Sequence, residues 1–186
     1  MDVLIVTDIF GVCESTDKLI AGLKSTENKL HLVDPYDGER HAFKNENEAY
    51  SAFIEHCGHE KYLSLAQNAI EQINPAMVIG FSAGANAVWR LCDLPVAMSK
   101  KLICFYPTRI QQYLALEAKA CVEVIFPLQE ASFDVREIAQ VIDCKNNVSQ
   151  QIMPFDHGFM NNRSQAFNKE AEKLGFELIQ TILKKP

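Results

Sequence analysis

The sequence contains no long apolar run. Nothing in its 186 residues approaches the roughly 20 consecutive apolar side chains that cross a bilayer, so no membrane partner is expected. Positive charge is not in excess either: Lys and Arg total 18 against 24 Asp and Glu, a formal net charge of −6. Binding to phosphate backbones needs clustered cations, so nucleic acid is not an expected partner. No C-x-x-C pair occurs among the six cysteines, Cys13, Cys57, Cys92, Cys104, Cys121 and Cys144. No Gly-x-Gly-x-x-Gly follows the first strand-like run, and no Lys-Ser or Lys-Thr pair closes the later glycine-rich turn at Gly80 to Gly84. Dinucleotide and P-loop phosphate sites are therefore disfavoured.

What is present is a globular composition. Apolar residues make up 48% of the chain, too many for disorder. A single domain spanning residues 1–186 is expected, since a chain of this length buries roughly 70% of its unfolded surface and needs no metal or disulfide staple. The strand-like run begins directly after Met1-Asp2, so no basic segment or signal peptide is expected before it, and Cys92, Cys104 and Cys121 sit in apolar runs. Reduced, buried thiols and a cytoplasmic location are the expectation.

Short apolar runs alternate with helical periodicity. Val3–Thr7, Leu30–Val33, Ala76–Ile79, Lys101–Tyr106, Cys121–Phe126 and Val148–Met153 read as six strands. Helices are predicted over Thr16–Leu23, from Tyr62 to a stop at Asn74-Pro75, over Ala85–Leu91, over Phe133–Ile142, and over Ser164–Leu183. In the last, Phe167, Ala171, Leu174, Leu178 and Ile182 are expected to face inward. Residues 36–60 read as polar and irregular, with a short helix near Tyr50–Ile54 and the possibility of acting as a lid. Alternation without repeats or linkers predicts a three-layer α/β architecture: about six mostly parallel strands in the order 2-1-3-4-5-6, with helices on both faces. The strand order then reverses between strands 1 and 3, where open α/β sheets bind ligands.

The chemistry-bearing piece is Gly80-Phe81-Ser82-Ala83-Gly84. It follows a buried strand and precedes a helix, the setting in which a G-x-S-x-G turn presents a serine nucleophile. The turn is tight, so the residues two before and two after the serine must be small. Ala83 opens the helix, where its backbone N–H can serve an oxyanion. A serine needs a base, and the base needs a carboxylate. His157 is the one histidine after Ser82, in the loop beyond strand 6. Glu130, just past strand 5, is the first choice of acid and Asp134 the second; Asp143 is remote and Asp156 adjoins the histidine. Phe10, Phe81, Tyr106 and Phe159, at strand ends, are candidates for an apolar substrate pocket. The segment His56-Cys57-Gly58-His59-Glu60 has metal-capable side chains, but Gly58 interrupts any helix, and a polar loop is expected there with no metal.

Asp8-Ile9-Phe10-Gly11, Gly80-Phe81-Ser82-Ala83-Gly84 and His157-Gly158-Phe159, in that order, resemble the dienelactone hydrolase family of α/β-hydrolases. The resemblance implies an α/β-hydrolase-like fold and ester or lactone hydrolysis without a cofactor. It also implies that the Ile9 N–H completes the oxyanion hole beside Ala83 and that Asp8 matches an acidic residue near the nucleophile. Asp8 is equally open to a plain strand-end role. The founding pattern has cysteine as nucleophile and aspartate as acid, where this chain has Ser82 and Glu130. The substrate-binding arginines of the family have no match, Arg163 being better read as an exposed residue at a helix start.

The function expected is a serine hydrolase of small carboxylic esters, lactones or thioesters, working through Ser82, His157 and Glu130. The alternatives are amide or short-peptide hydrolysis on the same fold, or a non-catalytic member that binds a small molecule or partner. Substrate identity and oligomeric state are not determined at this level.

Overall fold

The computed structural model describes residues 1–184. Six strands form one sheet: β1 (Asp2–Val6), β2 (Lys29–Val33), β3 (Met77–Phe81), β4 (Lys101–Phe105), β5 (Cys121–Phe126) and β6 (Val148–Ile152). Their spatial order is β2-β1-β3-β4-β5-β6 and every neighbouring pair is parallel. The helices are α1 (Glu14–Leu23), α2 (Glu46–His56), α3 (Gly58–Ile73), α4 (Ala83–Arg90), α5 (Val135–Asp143) and α6 (Lys169–Lys184).

Strand side chains alternate between two faces, and each face makes its own core. Leu4, Val6, Val78, Leu102, Cys104, Val122, Val124 and Phe126 pack against α3, α4 and α5. Val3, Ile5, Met77, Ile79, Ile103, Phe105 and Ile125 pack against α1 and α6. β3 is buried along its whole length, which explains why its sequence is a continuous apolar run without polar alternation.

Three local expectations change. Residues 36–60 are more helical than their composition suggests: α2 and α3 meet at Cys57, and Gly58, at φ +67°, breaks the path between them without ending helical structure. Helix α2 needs only Ala49 and Phe53 in the core, too sparse a stripe to stand out. Helix α6 begins at Lys169 because Asn168 caps it, its side chain accepting from the N–H groups of Glu170 and Ala171. Its buried stripe is Ala171, Gly175, Ile179 and Ile182. Leu174 is 40% exposed, because Gly175 lets the Met160 thioether press against the helix in its place. Finally, Cys92 and Cys104 are buried, but Cys121 opens β5 at the sheet rim and is exposed. Among the described residues no helix is long and apolar enough to cross a membrane.

Candidate active site

The strand order reverses between β1 and β3, and the loops leaving both strands meet at that point. Ser82 follows β3 directly, at φ 50°, ψ −110°. An L-residue adopts such a backbone only when its surroundings force it. Here its N–H donates to the Phe105 carbonyl on β4 at 3.0 Å, and its own carbonyl accepts from Asn86 in α4 at 2.9 Å. The small flanking residues are a steric requirement. A Cβ on Gly80 would lie 2.7 Å from the Gly84 carbonyl oxygen, and one on Gly84 would lie 2.3 Å from that of Thr7.

Two further loops reach the serine. Ser82 Oγ lies 2.8 Å from His157 Nε2, and His157 Nδ1 lies 2.5 Å from Glu130 Oε1. The loops carrying the last two residues are fastened to each other: Leu128 N–H donates to the Phe155 carbonyl at 2.7 Å, and the Gln129 amide donates to Asp156 at 3.1 Å. Gly158 follows the histidine at φ +88°, where a Cβ would collide with the Ser164 hydroxyl. The Tyr106 ring flanks the imidazole, with centroids 5.0 Å apart. Asp134 stands elsewhere, accepting from the N–H groups of Arg136 and Glu137 as the cap of α5. In this arrangement an imidazole can take the serine proton while a carboxylate holds the opposite nitrogen.

The β1 exit forms a turn in which Gly11 N–H donates to the Asp8 carbonyl and Phe10 N–H donates to the Asp8 carboxylate. Ile9 sits at its crest, and Tyr36 donates a hydrogen bond to the Ile9 carbonyl at 2.7 Å. Ala83 is the first residue of α4, and a helix leaves its leading N–H groups without partners in the helix. Ile9, Ala83, Ser82 and His157 all line one cleft of about 240 Å³.

Residues 59–185 match the dienelactone hydrolase family. The chain belongs to the dienelactone hydrolase family. The matched residues include Ser82, Glu130 and His157. The uncharacterised protein YczH of Bacillus subtilis is 32% identical over 137 residues, covering 72% of this chain and 67% of YczH. Among solved structures, a candidate dienelactone hydrolase from Klebsiella pneumoniae superposes with a TM-score of 0.74 at 17% identity, over 97% of this chain and 85% of the other. A dienelactone hydrolase-like promiscuous phosphotriesterase from metagenomic libraries gives 0.71 at 12% identity, over 97% and 84%. Est1E from Butyrivibrio proteoclasticus gives 0.65 at 10%, over 98% and 86%. At such identities these structural likenesses are of fold. Membership of the family makes the protein a hydrolase of the α/β class.

In this dienelactone hydrolase family member, two acidic side chains, Asp8 and Glu46, stand in the cleft wall. Asp8 is buried, accepting from Phe10 N–H at 3.0 Å and from the Asn161 amide at 2.7 Å. Loss of solvent pushes its carboxyl up to about 6, against the pull of those two hydrogen bonds. Glu46, at the start of α2, accepts from the Ser164 hydroxyl at 2.6 Å and thereby ties α2 over the cleft. Arg163 is exposed, as the sequence suggests. Among the described residues no three His, Cys, Asp or Glu side chains gather into a metal-holding group.

Of the aromatic residues expected in the pocket, Phe10 and Tyr106 line the cleft together with Asp8. Phe81 and Phe159 do not. Phe81 shares the β3 face that carries Met77 and Ile79 toward α1 and α6, where it stacks on Phe105 at 5.1 Å. Phe159 is wholly buried between Tyr106 and Phe155. Sequence reasoning missed Glu46, Asn47 and Tyr50 of α2, Thr108 beyond β4, and His59 of α3, all of which reach the cleft. A signal for His59 existed. The stripe Tyr62, Ala66, Ile70 continued backward by three residues lands on position 59, which is buried with them.

Proposed function

We propose that the protein is a serine hydrolase of small carboxylic esters, lactones or thioesters, with Ser82 as nucleophile, His157 as base and Glu130 as its orienting acid. The hydrogen-bond chain from Ser82 Oγ through His157 to Glu130 carries this reading. His157 Nε2 takes the hydroxyl proton as Ser82 Oγ attacks the substrate carbonyl. Glu130 keeps the other ring proton on Nδ1 and balances the imidazolium. The N–H groups of Ile9 and Ala83 receive the developing oxyanion. Collapse expels the alcohol or thiol, which takes its proton from His157, and leaves an acyl-serine. Water, deprotonated by the same imidazole, then releases the carboxylic acid and restores the serine. Every step uses residues of this chain, and the proposed chemistry calls for no cofactor.

Labelling by a fluorophosphonate probe, together with turnover of p-nitrophenyl esters, tests the proposal. Wild type labels and turns over. Ser82→Ala does neither, losing on the order of 10³-fold or more in rate. A folded wild-type protein that fails both assays overturns the hydrolase reading in favour of ligand binding. Turnover of p-nitroanilides in preference to esters moves the assignment to amide cleavage.

A further inference from the structure

His59 has no part in the proposed reaction, yet its ring lines the same cleft as Ser82 and His157. It is 8% exposed, and neither ring nitrogen has a hydrogen-bond partner in the protein. Its ring is held by the Phe53 ring, edge to face at 5.1 Å. A buried imidazole with both nitrogens unmatched is costly, because each loses its bond to water and gains none in return. Burial, with Arg109 and Arg90 nearby, moves it down to about 4, so the ring is neutral at physiological pH and offers one donor and one acceptor. That pair complements a hydroxyl.

The charges around the cleft narrow the choice further. Asp8 and Glu46 line it, and no Lys or Arg does among the described residues. The two guanidinium groups whose charge bears on His59 are engaged elsewhere: Arg90 is held by both oxygens of Glu60, and Arg109 by Gln112. A carboxylate-bearing substrate would meet two carboxylates with no cation to offset them. The acid released by hydrolysis would be repelled by the same wall, which favours its departure.

We propose that the substrate of this cleft is an electrically neutral ester that presents a hydroxyl group to the His59 imidazole. This inference rests on the hydrolase reading above. It makes His59 a specificity-determining residue and sets this protein apart from hydrolases of anionic lactones.

The test uses the full chain and three matched p-nitrophenyl esters: butyrate, 3-hydroxybutyrate and the succinate monoester. The same three groups are also placed on the alcohol half of acetate esters, followed by pH-stat. In at least one half, the hydroxylated ester is expected to exceed the plain one in kcat/KM by about three- to tenfold. The carboxylate ester should fall about tenfold or more below the plain one. His59→Phe is expected to bring the hydroxylated-to-plain ratio to about one, and His59→Gln, which keeps a donor and an acceptor, to hold it above one. Equal rates for hydroxylated and plain esters in both halves, or preference for the carboxylate, overturn the inference while Ser82-dependent turnover leaves the hydrolase reading standing. Absence of turnover on every ester, with Ser82 unlabelled, removes both. Should His59→Phe not fold, the wild-type ratios and those of His59→Gln decide.

Discussion

The Tyr36 hydroxyl donates to the Ile9 carbonyl at 2.7 Å, so a side chain from the exit of β2 fastens the turn at the exit of β1. The same oxygen lies 3.3 Å from the Ala49 carbonyl of α2, and the ring packs so tightly on Gly11 that a Cβ there would sit 2.7 Å from it. If the Ile9 N–H serves the oxyanion, its direction depends on this contact. Tyr36→Phe keeps the ring and removes the bond. It should lower kcat about three- to tenfold while KM changes little, since the oxyanion forms only in the transition state. Steady-state kinetics on a p-nitrophenyl ester provide the check, and an unaltered kcat would separate Tyr36 from the oxyanion.

Glu130 and Asp134 differ in what they hold. Glu130→Gln should leave stability nearly unchanged and reduce kcat by about 10²- to 10⁴-fold, because the imidazole loses its fixed tautomer. Asp134→Ala removes the α5 cap and should cost about 1 kcal/mol of stability with kcat near wild type. Thermal unfolding and kinetics on both variants measure the contrast. A large activity loss confined to the Asp134 variant would reverse the assignment.

Gly84→Ala tests the fit of α4 on the sheet. Its new methyl would have to occupy space 2.3 Å from the Thr7 carbonyl oxygen and 2.4 Å from that of Val6, both rigid backbone. A loss of about 3 kcal/mol is expected in denaturant unfolding, the upper end for overpacking. Retained stability would mean that α4 can shift, and with it the backbone of Ser82.

Two buried groups should tilt the pH dependence of stability in opposite directions. The Asp8 carboxyl is raised from 3.8 to about 6 in the fold. Between those values the native state holds more protons than the unfolded one, so this contribution, about 3 kcal/mol in all, is lost as pH rises through the window. His59 is lowered from 6.5 to about 4. There the unfolded state holds more protons, and stability is lost as pH falls. Relative to wild type, Asp8→Asn should gain stability as pH rises from about 4 to 6.5, and His59→Phe should gain it as pH falls through the same range. Melting temperatures of the three proteins across that range give the two slopes, and parallel curves would refute both.

The six apolar runs were legible because each strand of a doubly covered parallel sheet is buried on both faces, which leaves an uninterrupted signature in sequence. The turn at Ser82 was legible because its geometry tolerates only small neighbours. Helices α2 and the first turn of α3 were not, since two residues, Ala49 and Phe53, anchor α2 and the surrounding polar chain hides the period. The stripe of α6 was misphased for a related reason. Gly175 carries no hydrophobic signal of its own, yet it is the residue against which Met160 packs.

The sequence by itself determined the alternation of elements, the strand order it implies and the loops from which reactive side chains emerge, because periodicity and turn sterics are local properties. Only the tertiary structure decided that Glu130 rather than Asp134 faces the imidazole, that Phe81 and Phe159 belong to the core, and that α2 and His59 complete the cleft. Each of those outcomes depends on which residues far apart in the chain come within a few ångströms of one another, and local pattern carries no measure of that distance.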